Sequence, residues 1–200
     1  ANAAWENGWL TNEVIEMEEL SRDQGIRPGT NMGTLTKLKA VFKENGQVTA
    51  GNASQVSDGA SAVLVCSEEM AKQKGWPILV EILDYTTSGV EPKRVMVAPI
   101  SAVENILQRN NLGIMDIDII EHNEAFAAAS VAVQMALKVP EDRFNVHGGA
   151  VAVGHPLGAT GTRCLMTTIN ALERTNGKKG IVTICLGGGN AVAMLVERKK

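Results

Sequence analysis

Residues 180–197 have the sequence GIVTICLGGGNAVAMLVE, in which two apolar runs are separated by three glycines and an asparagine. We predict that the runs Gly180–Cys185 and Ala191–Glu197 are both strands. Because the connection Gly187–Asn190 is short and rich in glycine, the two strands are expected to pair antiparallel. Both runs are apolar almost throughout, which indicates a sheet that is covered on its two faces.

Upstream of this pair, strand and helix patterns alternate from about residue 58. The predicted strands are Ala60–Cys66, Ile78–Tyr85, Ile117–Glu121 and Phe144–His147, and the predicted helices are Glu68–Lys74, Ser101–Arg109, Ala125–Leu137 and Ala159–Glu173. Apolar strands that alternate with helices predict an α/β fold. We expect a mixed, mostly parallel sheet with helices on both faces.

The first fifty-odd residues lack the regular alternation of strand and helix patterns. Short helical pieces such as Leu35–Phe42 alternate there with turn-rich connections such as Arg27–Thr30. We therefore predict a loop or cap region over residues 1–56 and an α/β domain over residues 57–200.

Composition limits the classes of function. The chain has 200 residues, of which 44% are hydrophobic, so it can bury a core for one domain and part of a second. The formal net charge of −3 gives no indication of a nucleic-acid partner. We expect no membrane association, since the apolar runs are far shorter than a membrane span and no basic and apolar leader opens the sequence. Three cysteines without a CxxC pair favour a reducing compartment, either the cytoplasm or an organelle matrix.

A histidine is placed between a glycine and a proline in the segment GHPLGATG, residues 154–161. Gly154 and Pro156 restrict the backbone on both sides of His155, so the imidazole is presented as a catalytic base would be. The alternative is a buried histidine that bonds a backbone carbonyl. A phosphate-binding P-loop is excluded because the segment lacks its lysine.

Two further polar positions lie at strand ends. Cys185 ends an apolar run, and the amides of Gly187 and its neighbours could face a developing oxyanion. A small buried hydrophobe is the alternative for Cys185, and it is the interpretation that we give Cys66 and Cys164. Asn123 follows the predicted strand Ile117–Glu121, where it could also be a helix N-cap.

The segments GHPLGATG, CLGGG (185–189), NEAF (123–126) and VTAGNASQVSDGA (48–60) together resemble motifs of the thiolases. The resemblance extends from Ala4 to the C-terminus, but it covers only the second half of a thiolase. It implies the C-terminal half of the thiolase fold, preceded by the remainder of the loop domain that binds coenzyme A.

The resemblance also implies roles for individual residues. His155 would take the proton from a nucleophilic cysteine, and Cys185 would move a proton at the carbon next to the acyl group. Asn123 would hold a water that forms one oxyanion hole with His155, and the Gly187 amide would join a second hole. The implied coenzyme A and acyl-pocket positions are Ala50, Ser54 and Phe126 along the pantetheine arm, Arg27, Thr34 and Leu35 at the nucleotide end, and Met96 beside the acyl group.

The implied activity is that of an acetyl-CoA acetyltransferase or 3-ketoacyl-CoA thiolase. Such an enzyme carries out reversible Claisen condensation through an acyl-cysteine, with coenzyme A and acyl-CoA as substrates and neither a permanently bound cofactor nor a metal. The nucleophilic cysteine of a C-x-S-G motif is not found in this sequence, so we expect the chain alone to be incomplete. The expected partners are the N-terminal half of a thiolase and further copies in a dimer or tetramer. A non-catalytic subunit that binds coenzyme A or assists assembly is the alternative.

Overall fold

The computed structural model describes residues 1–199. The elements, in chain order, are α1 (Asn2–Glu6), α2 (Met32–Leu35), α3 (Glu68–Lys74), β1 (Val80–Gly89), α4 (Ala98–Arg109), β2 (Ile119–His122), α5 (Ala127–Leu137), α6 (Ala150–Val153), α7 (Thr160–Thr175), β3 (Lys179–Leu186) and β4 (Asn190–Arg198). Short 3-10 helices cover Pro92–Val97, Ile114–Asp116 and Glu141–Arg143. Regular structure is therefore concentrated after residue 67.

The four strands form one mixed sheet in the order β1-β4-β3-β2. Strands β3 and β4 are the antiparallel pair that the glycine-rich turn predicts, and β2 lies parallel to β3. The α/β class is confirmed, but the expectation of a mostly parallel sheet is wrong, because β1 also runs antiparallel to β4. Strand β1 is a half-exposed edge strand, and edge strands of mixed sheets are often antiparallel.

Helices cover both faces of this sheet, as predicted. One face packs on α4 and α5 through a cluster that includes Ile120, Ile181 and Leu195. The other face packs on α7 through Val182 and Val196. Successive strand residues point to opposite faces, so an apolar run such as Ile181–Val182 supplies both clusters at once.

Three predicted elements are not formed. Residues 60–66 are extended and largely exposed, but no strand within residues 1–199 pairs with them, and a β-strand requires a hydrogen-bonded neighbour. The predicted strand Phe144–His147 is reduced to a bridge between Ile120 and Phe144, because Asn145 adopts a left-handed backbone with φ 46°. The helix predicted over Leu35–Phe42 ends at Leu35, since Ala40 already pairs with Thr49.

The parallel pairing of β2 and β3 determines where the polar residues at the strand ends lie. The carboxyl ends of parallel strands meet at the same edge of a sheet. His122 at the end of β2 is paired with Thr183 in β3, so Asn123 and Cys185 emerge at the same edge.

Candidate active site

Three hydrogen bonds join Asn123 and Cys185, which are 62 residues apart in sequence. The backbone N–H of Cys185 donates to Asn123 Oδ1 at 3.1 Å, which fixes the orientation of the amide. Asn123 Nδ2 then donates to the Cys185 carbonyl oxygen at 3.4 Å and lies 3.3 Å from Cys185 Sγ. Helix α5 begins only at Ala127, so Asn123 positions the cysteine and does not cap the helix.

A strained turn follows Asn123 and holds it in place. Glu124 has a positive φ of 45°, and its N–H donates to Nδ1 of the buried His122 at 3.2 Å. The Glu124 carboxylate accepts from the N–H of Val151 at 3.0 Å and packs so closely on Gly149 that a side chain there would collide with it. Burial raises the pKa of Glu124, as expected for a buried carboxyl group that has a structural role.

The backbone of His155 is held by residues from the N-terminal part of the chain. Its N–H donates to Ser57 Oγ at 2.8 Å, and the Ser57 hydroxyl donates to the Gln55 carbonyl at 3.0 Å. Gly154 has a φ of +87°, and a Cβ there would collide with Ser57. The glycine before the histidine is therefore required both by its conformation and by this close approach.

The imidazole of His155 is half-buried, and Nδ1 lies 2.6 Å from Thr160 Oγ1. Burial, with a smaller contribution from the positive charge of Arg163, lowers the pKa of His155. A lowered pKa keeps the ring neutral near pH 7, which is the state that a general base requires. No hydrogen bond joins His155 to Cys185 within residues 1–199, so the two groups are placed independently.

The segment of residues 50–57 lies between the two halves of this site. Ala53 forms a β-bridge with Phe126, and the N–H of Ser54 donates to the carbonyl of Ala125 at 3.0 Å. Farther along the segment, Gln55 Nε2 lies within 3.0 Å of the carbonyl oxygens of Gly25, Val151 and Ala152. The Asn123 loop and the His155 loop are therefore linked through one stretch of backbone.

The structure places the predicted coenzyme A positions in several parts of the chain. Leu35 packs on Gly51, beside Ala50, whereas Thr34 is occupied in the reciprocal cap of α2 with Asn31. Arg27 is exposed in its turn. Met96 is half-buried in the 3-10 helix before α4, and Gly187 is exposed at the turn between β3 and β4.

The carboxyl group of Glu121 is buried beside Arg163 on the α7 face of β2. Glu121 is fully buried, and its Oε2 is 4.0 Å from Arg163 Nη1 on α7. Neither carboxylate oxygen has a hydrogen-bond partner within residues 1–199. Burial raises the pKa of Glu121 to about 8, although Arg163 acts in the opposite direction.

The pair of Glu121 and Arg163 and the positioning residues Gln55, Ser57 and Thr160 are absent from the sequence predictions. Thr160 lies within the quoted segment GHPLGATG and Gln55 and Ser57 within VTAGNASQVSDGA, but nothing in the sequence indicates their contacts.

Two family models match the chain over nearly its whole length. The model described as "Thiolase, N-terminal domain" matches residues 1–69, and the model described as "Thiolase, C-terminal domain" matches residues 76–198. The chain belongs to the thiolase family.

Similar thiolases and acyltransferases come from several organisms. A probable acetyl-CoA acyltransferase of Staphylococcus epidermidis is 43% identical, over 99% of this chain and 52% of its own length. An acetyl-CoA acetyltransferase of Pseudomonas aeruginosa is 42% identical, over 99% of this chain and 53% of its own length. The chain therefore spans about half the length of the curated relatives that it matches.

Solved thiolase structures have the same fold. Human mitochondrial 3-ketoacyl-CoA thiolase in complex with CoA matches with a TM-score of 0.94 and 38% identity, over 99% of this chain and 51% of that one. The acetyl-CoA acetyltransferase of Bacillus anthracis matches with the same TM-score and 36% identity, over 100% and 52%. The predicted thiolase-like fold is confirmed.

No helix within residues 1–199 is both long enough and apolar enough to cross a bilayer. No group of three histidine, cysteine, aspartate or glutamate side chains in that range is arranged to hold a metal ion.

Proposed function

We propose that this thiolase chain supplies the catalytic base, His155, and the second cysteine, Cys185, of an enzyme that interconverts 3-ketoacyl-CoA and shorter acyl-CoA esters. The observation that carries the proposal is the hydrogen-bonded pair of Asn123 and Cys185 at the edge of the sheet. An amide that contacts the backbone and the sulfur of one cysteine keeps that thiol in a fixed position, which a small core hydrophobe does not need.

In the proposed first step, His155 accepts the proton of a nucleophilic thiol, and the thiolate attacks the thioester carbonyl. The C–S bond to coenzyme A breaks as the new one forms, and His155 returns the proton to the departing sulfur. The nucleophile is expected in the half of a thiolase that this chain does not span. Cys164 does not suit the role, because burial raises its pKa to about 12.

In the proposed second step, the Cys185 thiolate removes a proton from the carbon next to the carbonyl of a second acyl-CoA. The resulting carbanion attacks the acyl-cysteine, so that a C–C bond forms and the C–S bond of the acyl-cysteine breaks. The released nucleophilic thiolate takes back the proton that Cys185 removed. The amide of Gly187, and a water held by Asn123 together with His155, are proposed to support the oxyanions of the two steps. Thiolysis is the same sequence in reverse.

Coenzyme A is proposed to lie along the segment of residues 50–57. Phe126 forms the bridge with Ala53 between this segment and the α5 loop, Ser54 follows Ala53 in the chain, and Leu35 packs on Gly51. The human relative was solved in complex with CoA, which supports this class of substrate. Ala50, Arg27, Thr34 and Met96 remain proposed contacts.

An exposed apolar surface on this chain is consistent with binding of a second polypeptide, the other half of a thiolase. A groove of about 740 Å³ is lined in part by the apolar side chains of Val63, Leu64, Val65, Trp76 and Leu79. All five side chains are exposed. Exposed apolar patches of this kind mark interfaces, and we propose that the N-terminal half of a thiolase covers this one. Assembly into a dimer or tetramer, in the cytoplasm or an organelle matrix, stays a prediction.

The completeness of the chain can be tested with acetoacetyl-CoA and coenzyme A as substrates. We expect no thiolysis by the purified 200-residue chain and measurable thiolysis when an N-terminal thiolase half is added. Turnover by the chain alone would show that its own residues include the nucleophile. Binding of coenzyme A without turnover in either sample would favour the non-catalytic subunit.

The two proposed roles can be separated in the active assembly by trapping labelled acetyl-enzyme from acetyl-CoA. His155→Ala should abolish acylation, whereas Cys185→Ser should still be acylated but fail to make or break the C–C bond. Each loss should be about 100- to 10,000-fold, the usual contribution of a general base. Acylation of His155→Ala together with failure of Cys185→Ser would reverse the assigned roles.

A further inference from the structure

The ring of His155 has one side-chain hydrogen bond within residues 1–199, and it joins Nδ1 to Thr160 Oγ1 at 2.6 Å. Thr160 is the first residue of α7 and is only 1% exposed. Because the distance is short and the threonine is packed, this contact restricts the orientation of the ring. It also involves a proton whose position decides which nitrogen can act as a base.

Two of the other threonines of α7 indicate where that proton lies. The hydroxyls of Thr168 and Thr175 each donate to the backbone carbonyl four residues earlier, at 2.9 and 2.7 Å. The Thr160 hydroxyl makes the same contact with the carbonyl of Pro156 at 2.9 Å. A carbonyl can only accept, so the Thr160 hydrogen points away from the imidazole. Thr160 Oγ1 then accepts from the ring, and Nδ1 carries the hydrogen.

We propose that Thr160 is a positioning residue that holds neutral His155 in the tautomer with hydrogen on Nδ1, so that Nε2 keeps its lone pair as the proton acceptor. The role of Thr160 in catalysis rests on the proposed function, whereas the tautomer of His155 does not depend on that function. The backbone of His155 is held separately by Ser57, so the direction of the ring and the position of the main chain depend on different hydroxyls.

The tautomer can be measured directly on the 200-residue chain by long-range ¹H–¹⁵N NMR with ¹⁵N-labelled histidine. The three histidines are assigned by single replacement of each one. We expect the neutral His155 ring to carry hydrogen on Nδ1 in the wild type and in Thr160→Ser, which keeps the hydroxyl. Thr160→Val, which has nearly the same shape but no hydroxyl, should show a mixture of tautomers.

Thr168→Val is the matched control, because it removes a buried hydroxyl with the same backbone contact from the same helix but does not touch the ring. It should leave the His155 signals unchanged. Hydrogen on Nε2 in the wild type, or an unchanged His155 signal in Thr160→Val, would overturn the proposal. If Thr160→Val does not fold, the wild-type tautomer alone decides.

A second readout uses the thiolysis-active assembly. A protonated imidazole donates a stronger hydrogen bond than a neutral one. Loss of the Thr160 hydroxyl oxygen, which accepts this bond, should therefore destabilise the protonated form of His155. We expect the acidic limb of the pH–rate profile to move to lower pH in Thr160→Val and the rate of acylation to fall about tenfold. Thr160→Ser should restore both, and a profile that does not move would count against the proposal. If no assembly shows thiolysis but the tautomer is as stated, the proposed function fails and this inference stands.

Discussion

Residues 1–67 and residues 80–198 contribute to the same candidate site but are held together by different forces. The second region contains both apolar clusters, which pack on the two faces of the sheet. In the first region, the buried apolar residues are Ala4 and Ile26. The N-terminal region is therefore attached mainly by polar contacts, such as those of Gln55 and Ser57.

This difference divides the site. Asn123 follows β2 and Cys185 lies near the end of β3, so their geometry depends on the apolar core beneath the sheet. The backbone of His155 depends on Ser57, which belongs to the weakly packed region. Disturbance of residues 1–67 should therefore affect His155 before it affects Cys185.

The largest effect is expected from a cavity in the core of the second region. Leu195 lies in β4, is fully buried and belongs to the cluster beneath α4. Leu195→Ala should lower the free energy of unfolding by about 3 kcal/mol, through lost burial and an unfilled cavity. Chemical denaturation monitored by circular dichroism gives the value. Leu64→Ala is the control from the first region, since Leu64 is 72% exposed, and it should change stability by less than about 0.5 kcal/mol. Equal losses in the two variants would contradict the contrast between the regions.

The next effect concerns pH, and it arises because the second region buries a carboxyl group. The pKa of Glu121 is raised from 4.5 to about 8, so the folded state keeps a proton that the unfolded state loses. Its contribution to stability is complete below pH 4.5 and is lost as the pH rises through 8. The pKa of His122 is lowered from 6.5 to about 4, so its contribution is lost only as the pH falls below 6.5.

The amino group of Ala1, whose pKa is lowered from 8.0 by burial, also titrates between pH 6.5 and 8.5, so the contribution of Glu121 is obtained by comparing the wild type with a variant that lacks this carboxyl group. The free energy of unfolding of the wild type should fall there by up to ~1.4 kcal/mol per pH unit. Glu121→Gln, which is neutral at every pH, should flatten this dependence. Glu173→Gln on the exposed side of α7 is the control and should not. A slope that persists in Glu121→Gln would assign the pH dependence to another group.

The same contrast explains what could be predicted from the sequence. The strands β3 and β4, the glycine turn between them and the helix α7 follow from local apolar patterns and turn residues, and each is found close to its predicted bounds. The segment of residues 60–66 has an equally strong strand pattern but no neighbour to pair with. Local pattern predicts a tendency to extend, whereas a strand also needs a hydrogen-bonding partner.

The same distinction between local pattern and long-range contact applies to the residues of the candidate site. His155 and Cys185 are recognisable because glycine and proline around them are unusual, and the pairing of Asn123 with Cys185 follows from the sheet. The contacts of Ser57 and Gln55 with the loop around His155 span 96 to 98 residues, and no periodicity or spacing in the sequence indicates them. Thr160 is five residues from His155, but its contact depends on the turn through Pro156.

The smallest expected effect tests the polar attachment itself. Gln55→Ala removes the amide that lies within hydrogen-bond distance of the carbonyls of Gly25, Val151 and Ala152. Since each hydrogen bond contributes about 1 kcal/mol and the unfolding of the core does not depend on them, the change in Tm should be small. Hydrogen exchange should instead quicken locally, at the amides of residues 25–57 and at the amide of His155. Gln47→Ala is the matched control, because Gln47 is exposed and its side chain has no hydrogen bond within residues 1–199, and it should leave exchange unchanged. Faster exchange throughout β3 and β4 in Gln55→Ala would show that the two regions unfold as one unit, and the distinction between a core-supported cysteine and a polar-anchored histidine would then be wrong.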